Sequence, residues 1–158
     1  MFKEQIFPLG PPIKISCLPS SQDHVFSLYL EESTICSVSF FVDLPSFLSI
    51  DLLDWISSYV QKCPLPLPKL PRQNLPLFTS RVRRSLMSIP FGRTLSYEEI
   101  AIQAGSPKAC RRVGTICRLN PWPLLIPCHR VIPKQQTLGS YALGSSIKKT
   151  LLEFEGSM

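Results

Sequence analysis

Cys128 and His129 stand side by side in Asn120-Pro121-Trp122-Pro123-Leu124-Leu125-Ile126-Pro127-Cys128-His129-Arg130-Val131, an apolar run whose prolines keep it from becoming a helix. A thiol attacks as its thiolate, and a free cysteine with a pKa of about 8.5 is only slightly ionised at neutral pH. The adjacent imidazole is the obvious base. Adjacent side chains in an extended segment point to opposite sides, so a water bridging imidazole and sulfur is expected in place of direct contact, with a third group orienting the ring. The bland alternative makes Cys128 a small buried hydrophobe and His129 a satisfied core histidine. The pair alone does not decide, because such local signatures do not transfer between families.

The elements that must position this pair belong to a chain of 158 residues, 44% of them apolar, which suits one or two compact folded domains and argues against disorder. No stretch reaches membrane-spanning length free of charges or prolines, and Met1-Phe2-Lys3-Glu4 opens no signal-like apolar core, so no membrane and a cytoplasmic location are expected. Six cysteines (Cys17, Cys36, Cys63, Cys110, Cys117, Cys128) contain no C-x-x-C pair, and His24 and His129 are the only histidines. A zinc site from Cys17, Cys36, Cys63 and His24 has no supporting spacing, so no metal and reduced thiols are expected.

Charge divides unevenly along the chain. Residues 1–76 carry five Lys/Arg against seven Asp/Glu, a balance of −2, whereas residues 77–158 carry twelve against four, a balance of +8. A basic half beside a mildly acidic one points to a polyanion, nucleic acid before membrane, with a merely solvated basic surface as the alternative. In the first half, Ile13–Leu18, His24–Leu30 and Thr34–Val42 read as short strands, with Glu31-Glu32-Ser33 as a hairpin loop. Leu52, Leu53, Ile56 and Val60 fall on one stripe of a helix over about Asp51–Gln61, with Trp55 beside it. This gives an N-terminal α/β scaffold over residues 1–63. The proline-rich stretch from Cys63 to Pro71 is stiff and extended, and residues 64–76 read as the interdomain linker; a polyproline ligand for an aromatic groove is the alternative.

Residues 77–158 read as mainly helical. Thr79 or Ser80 can cap a first helix that turns Val82, Leu86 and Ile89 inward and Arg81, Arg83 and Arg84 outward. Ser96 caps a second, with Glu98 and Glu99 in its first turn and Gly105 at its end. Ser106-Pro107 should start a third at once, cap followed by proline. Two short helices about a glycine-containing turn form a helix-turn-helix, the second bearing Lys108, Arg111, Arg112 and Arg118. Arg111 and Arg118 lie seven apart on one face, and Lys108 and Arg112 line another.

These motifs together resemble the O6-alkylguanine-DNA alkyltransferase family. Ile126-Pro127-Cys128-His129-Arg130-Val131 matches its active-site motif. Arg111-x-Val113-Gly114, Asn120-Pro121, Gly139-x-Tyr141, Gly144, Lys148 and Leu151-Leu152-x-x-Glu155-Gly156 fall at its spacing, as do Ile89-Pro90-x-Gly92 and Ser96-Tyr97. The match is dense over residues 78–158 and general before. The resemblance implies an α+β protein: a small ribonuclease-H-like N-terminal domain of antiparallel strands and a helix, then a winged-helix-type C-terminal domain at 77–158. It implies a repair reaction in which Cys128 accepts and keeps the alkyl group of O6-alkylguanine, O4 of thymine being a further candidate. No cofactor is implied, and a monomer is expected.

Site roles follow the same resemblance. His129 should deprotonate Cys128 through water while Glu155 holds the imidazole, Tyr97 should donate to guanine N3 and crowd the flanking phosphate, and Asn120 should brace the loop. The carbonyls of Cys128 and Val131 should accept from the guanine amino group, and Pro123, Val131, Ser140, Tyr141, Ala142 and Leu143 should form the pocket. Arg111 should fill the gap left by a flipped nucleotide, with its helix in the minor groove of double-stranded DNA. Lys108, Arg112, Arg118 and Arg130 complete the expected DNA contacts. Thr79 and Arg83 stand where Gln and Trp are common, and Leu143 replaces the first of a usual Gly-Gly pair, where a side chain either narrows the pocket or alters the loop. Two rivals remain: a non-catalytic module that only recognises alkylated DNA, and a thiol hydrolase that would turn over repeatedly.

Overall fold

The structure is a computed structural model, and it describes residues 13–16, 27–31, 34–39, 54–55, 58–59, 61–67 and 74–158 except 121, 136 and 142; for the first three stretches the backbone alone is described. The chain divides into two compact units, Met1–Arg72 and Gln73–Met158. The architecture is α+β.

In the first unit, β1 (Ile13–Ser16), β2 (Ser27–Glu31) and β3 (Thr34–Ser39) form an antiparallel sheet in the order β1-β2-β3. Ile13 stands opposite Leu30, and Ser27 opposite Ser39. The β2–β3 register shifts between Tyr29 and Leu30, which face Ser37 and Ile35 and so leave Cys36 as the extra residue of a bulge. Asp54, Trp55, Ser58 and Tyr59 are helical. Trp55 and Tyr59, four apart, are buried with ring centroids 5.4 Å apart. The stripe residues Leu52, Leu53, Ile56 and Val60 lie outside the described residues, as do Cys17 and His24.

The second unit contains α1 (Leu77–Met87), β4 (Leu95–Ser96), α2 (Tyr97–Gln103), α3 (Cys110–Arg118), β5 (Val131–Ile132) and α4 (Ser145–Glu155). Val82, Leu86, Ile89, Ile100, Val113, Leu125, Leu151 and Leu152 form its core. Helix α1 starts earlier than Thr79 or Ser80 as cap would require. Pro76 occupies the N-cap, and its carbonyl accepts the first bond, from Ser80 N–H at 3.0 Å. A proline there removes one of the unpaired N–H groups of the helix start, and no side chain caps the others. Ser96 does cap α2, in a box with Glu99. Gly105, at φ +80, ends α2 in a Schellman pair: its N–H bonds to Ile102 C=O and that of Ser106 to Ala101 C=O, both at 2.9 Å.

Helix α3 does not begin at Ser106-Pro107. Those residues form a turn closed by Ala109 N–H to Ser106 C=O at 2.9 Å, and the helix starts at Cys110. Serine first and proline second is as good a signature for a type I turn as for a helix start, and here the turn prevails. Helices α2 and α3 with this turn form the helix-turn-helix. Strands β4 and β5 pair in parallel, Leu95 with Val131 and Ser96 with Ile132, which sets the start of α2 beside the Cys128 turn.

Candidate active site

Cys128, His129 and Arg130 form one 3-10 turn, closed by Arg130 N–H to Pro127 C=O at 3.0 Å. The extended geometry expected for this pair is therefore replaced by a turn that rotates successive side chains by about 120°. The turn can form because Pro127 supplies a carbonyl and asks for no donor partner.

His129 is fully buried, and its Nε2 lies 2.8 Å from Glu155 Oε1. A carboxylate only accepts, so Nε2 carries the hydrogen and Nδ1 keeps its lone pair. Among the described residues Nδ1 has no hydrogen-bond partner. Burial lowers the pKa of His129 and outweighs the opposing pull of Glu155, while Arg130 and Lys148 push in the direction of burial. The ring is thus a neutral base with one nitrogen to spare. Burial pushes Glu155 up, but His129 and Arg130 overcome it and hold the carboxyl down at about 2.

Helix α4 delivers Glu155 from its last turn, where Gly156 at φ +71 lets Ser157 N–H reach Leu152 C=O at 2.9 Å. Gly92 closes in from the other side: its N–H points to Glu155 Oε2 at 3.4 Å, and a Cβ there would sit 2.9 Å from the Glu155 carbonyl oxygen.

Cys128 is 2% exposed. Burial pushes its thiol up, and a hydrogen bond from Asn120 and the Lys148 charge work against that. Asn120 does what a brace must do. Its Nδ2 donates to Ile126 C=O at 2.8 Å and to Cys128 Sγ at 3.1 Å, and its Oδ1 accepts from Trp122 N–H at 3.1 Å. One buried amide thus ties both ends of the loop and also touches the sulfur.

A cleft beside the sulfur is lined by Tyr97, Gly114, Cys117, Arg118, Cys128, Ser140 and Tyr141. Burial, then the Cys117 and Cys128 sulfurs, push the Tyr97 hydroxyl up to about 12, so it keeps its proton and can donate. Cys117 is likewise held at about 12 by burial and by Cys128, and stays a thiol.

The model of the family described as 6-O-methylguanine DNA methyltransferase, DNA binding domain, matches residues 77–157. The chain belongs to this family. It is 41% identical over 122 residues to the methylated-DNA--protein-cysteine methyltransferase of Cricetulus griseus, covering 72% of this chain and 58% of that protein. It is 38% identical over 109 residues to that of Homo sapiens, covering 65% and 53%. The chain thus spans little more than half the length of these relatives. It also resembles the crystal structure of Mycobacterium tuberculosis OGT in complex with DNA, with a TM-score of 0.61 and 30% identity over 84% of this chain and 87% of that one.

In this member of the methyltransferase family, the side chains expected to meet DNA separate into groups. Lys108, Arg111, Arg112 and Arg118 are exposed on or just before α3. The Arg112 guanidinium lies 4.8 Å over the Phe78 ring, whereas the Arg111 side chain has no hydrogen-bond or ion-pair partner among the described residues. Arg130 is a correction. It is 7% exposed, with Nε and Nη2 on Glu155 at 2.8 and 2.9 Å and Nη1 on Ile89 C=O at 2.7 Å, so its donors are engaged inside the protein.

Of the expected pocket residues, Ser140 and Tyr141 line the cleft; Pro123 and Val131 are buried and Leu143 half-buried, none of them in that lining. Ala142, like Pro121, lies outside the described residues. The Val131 carbonyl accepts from Lys148 Nζ at 2.6 Å, and the Cys128 carbonyl from Val131 N–H, so each keeps one lone pair for another donor.

Sequence reasoning gave no role to Lys148, Cys117 or Gly114. Lys148 is fully buried on α4 and opposes the rise in the Cys128 pKa. Its signal was available: it sits three and four residues from Leu151 and Leu152, on the apolar stripe of that helix. Gly114 and Cys117, three apart, put the inner face of α3 into the cleft, with Arg118 beside them, while Arg111 and Arg112 are exposed outside that lining.

Proposed function

We propose that this protein repairs DNA by direct reversal, transferring the alkyl group of O6-alkylguanine to Cys128 once and irreversibly. The observation that carries this reading is the buried Glu155–His129 pair next in sequence to Cys128: a fixed carboxylate, a neutral imidazole whose Nδ1 has no partner among the described residues, and a cysteine at the edge of a cleft. His129 Nδ1 takes the thiol proton, through a bridging water. The thiolate sulfur attacks the alkyl carbon in line, the S–C bond forms and the C–O6 bond breaks, and its electron pair leaves on guanine, to which Tyr97 donates at N3. Asn120 and Lys148 stabilise the sulfur's charge before attack. The transfer needs no cofactor, and the thioether product has no route back.

The same reading places α3 in the minor groove of double-stranded DNA, with Arg111 in the gap left by the flipped nucleotide and Lys108, Arg112 and Arg118 towards phosphates. Their exposure, with Arg118 lining the cleft, supports it. The domains are read as an N-terminal ribonuclease-H-like scaffold at 1–63, a linker at 64–76 and a winged-helix-type domain at 77–158, acting as a monomer in the cytoplasm. Incubation with a duplex carrying O6-methylguanine, followed by intact-protein mass measurement and peptide mapping, tests it. One methyl per molecule, on Cys128 and absent in Cys128→Ser, is expected. Binding without transfer would instead make the protein a recognition module, and repeated turnover a hydrolase.

A further inference from the structure

Arg130 follows the nucleophile and the base directly, yet it faces away from solvent and the cleft. Its guanidinium spans both oxygens of Glu155: Nε donates to Oε2 at 2.8 Å and Nη2 to Oε1 at 2.9 Å, the latter being the oxygen that also holds His129 Nε2 at 2.8 Å. Nη1 reaches across to the Ile89 carbonyl at 2.7 Å, and the guanidinium carbon lies 5.7 Å from the centre of the Phe91 ring. The side chain is thus anchored at three places, and the carboxylate is clamped in one plane by a planar fork.

A lone carboxylate opposite an imidazole can rotate, and a protonated one could donate to Nε2, which would put the hydrogen on Nδ1 and remove the base. The fork forbids both, since each oxygen already accepts from a guanidinium N–H. The charged groups around His129 are Glu155 and Lys148 from α4 and Arg130 from its own turn, which also holds the titratable Cys128 thiol, with the Tyr141 ring edge-on at 6.5 Å. Arg130 is a charged partner of Glu155 whatever the state of His129.

We propose that Arg130 is a positioning residue for alkyl transfer: by clamping Glu155 it fixes the His129 tautomer that leaves Nδ1 free to accept the Cys128 proton. The clamp rests on the alkyl-transfer reading above, but its consequence for the imidazole does not require transfer to be observed. Arg130 contributes no contact to DNA.

The test uses the full chain, with Arg130→Lys keeping the charge without the fork and Arg130→Gln keeping a hydrogen bond without the charge. Nitrogen-15 imidazole spectra report the tautomer, and His24, the only other histidine, is assigned through His24→Gln. Wild-type His129 is expected as the Nε2–H tautomer at neutral pH. In either folded variant, Nδ1–H should become populated and single-turnover transfer should slow by about tenfold or more, with affinity for unmodified duplex within about twofold of wild type. A folded variant that transfers at the wild-type rate overturns the proposal, as does slowing with the tautomer unchanged. Failure of both variants to fold, checked by thermal melting, also overturns it by making Arg130 a fold residue alone. If wild type transfers no methyl, the repair reading falls while the tautomer shift still decides the clamp.

Discussion

Replacing Asn120 with alanine removes the hydrogen bonds to Trp122 N–H, Ile126 C=O and Cys128 Sγ in one step. The costs differ. Trp122 N–H is buried and loses its acceptor, which costs about 1–3 kcal/mol, whereas Ile126 C=O keeps the N–H of Cys128 at 2.7 Å and forfeits only an ordinary bond of about 0.5–1.5 kcal/mol. The expected loss is therefore about 2–4 kcal/mol, a large share of the roughly 5–15 kcal/mol that holds a domain folded. Urea denaturation should show the midpoint falling at an unchanged slope. Asn120→Asp separates brace from donor: one oxygen still serves Trp122, but the other faces the Ile126 carbonyl and the sulfur, where it repels the thiolate. That variant should slow transfer at neutral pH more than its stability loss explains. A loss below about 1 kcal/mol in Asn120→Ala, or transfer unaffected in Asn120→Asp, would refute the reasoning.

Gly92→Ala should lose about 1–3 kcal/mol in thermal denaturation, since φ +73 disfavours a side chain and the new Cβ would meet the Glu155 carbonyl at 2.9 Å; an unchanged melt would show that the last turn of α4 yields freely. Arg112→Ala should weaken duplex binding, reduce its salt slope by about one and, by losing the Phe78 contact, lower stability as well, while Arg111→Ala should weaken binding with stability unchanged; identical profiles would count against the distinction. Glu155 is depressed from 4.5 to about 2, so its contribution to stability is complete above about pH 4.5 and disappears as pH falls through that interval to about 2. The stability gap between wild type and Glu155→Gln should shrink over this window, and a gap that persists at about pH 2 contradicts the assignment.

Much of the site was legible because its chemistry is local in sequence. Cys128 and His129 adjoin, Ser96 and Glu99 announce the start of α2, and Asn120 lies within the same loop as the sulfur it touches. The resemblance also brought in Glu155, which spacing alone could not place beside His129. What escaped had two physical origins. Arg130 and Lys148 are long cations, which surface statistics assign to solvent or DNA, yet each is buried because a carboxylate or a carbonyl waits within 3 Å. Helix starts at Leu77 and Cys110 escaped because serine, threonine and proline serve turns and caps alike, and the backbone's hydrogen bonds, not residue type, decide between them.

Strands β4 and β5 are only two residues each. Yet Tyr97 follows β4 directly, and the turn holding Cys128 runs straight into β5, so the parallel ladder acts as a caliper between the proposed proton donor and the proposed nucleophile. A caliper made of main-chain amides is indifferent to which side chains ride on it. Leu95 and Ile132 could exchange for other β-formers without changing its setting, whereas a proline that removed one rung would open it. The spacing of Tyr97 and Cys128 is in this sense written in the backbone, and substitutions that tune the cleft can accumulate around it without moving the jaws.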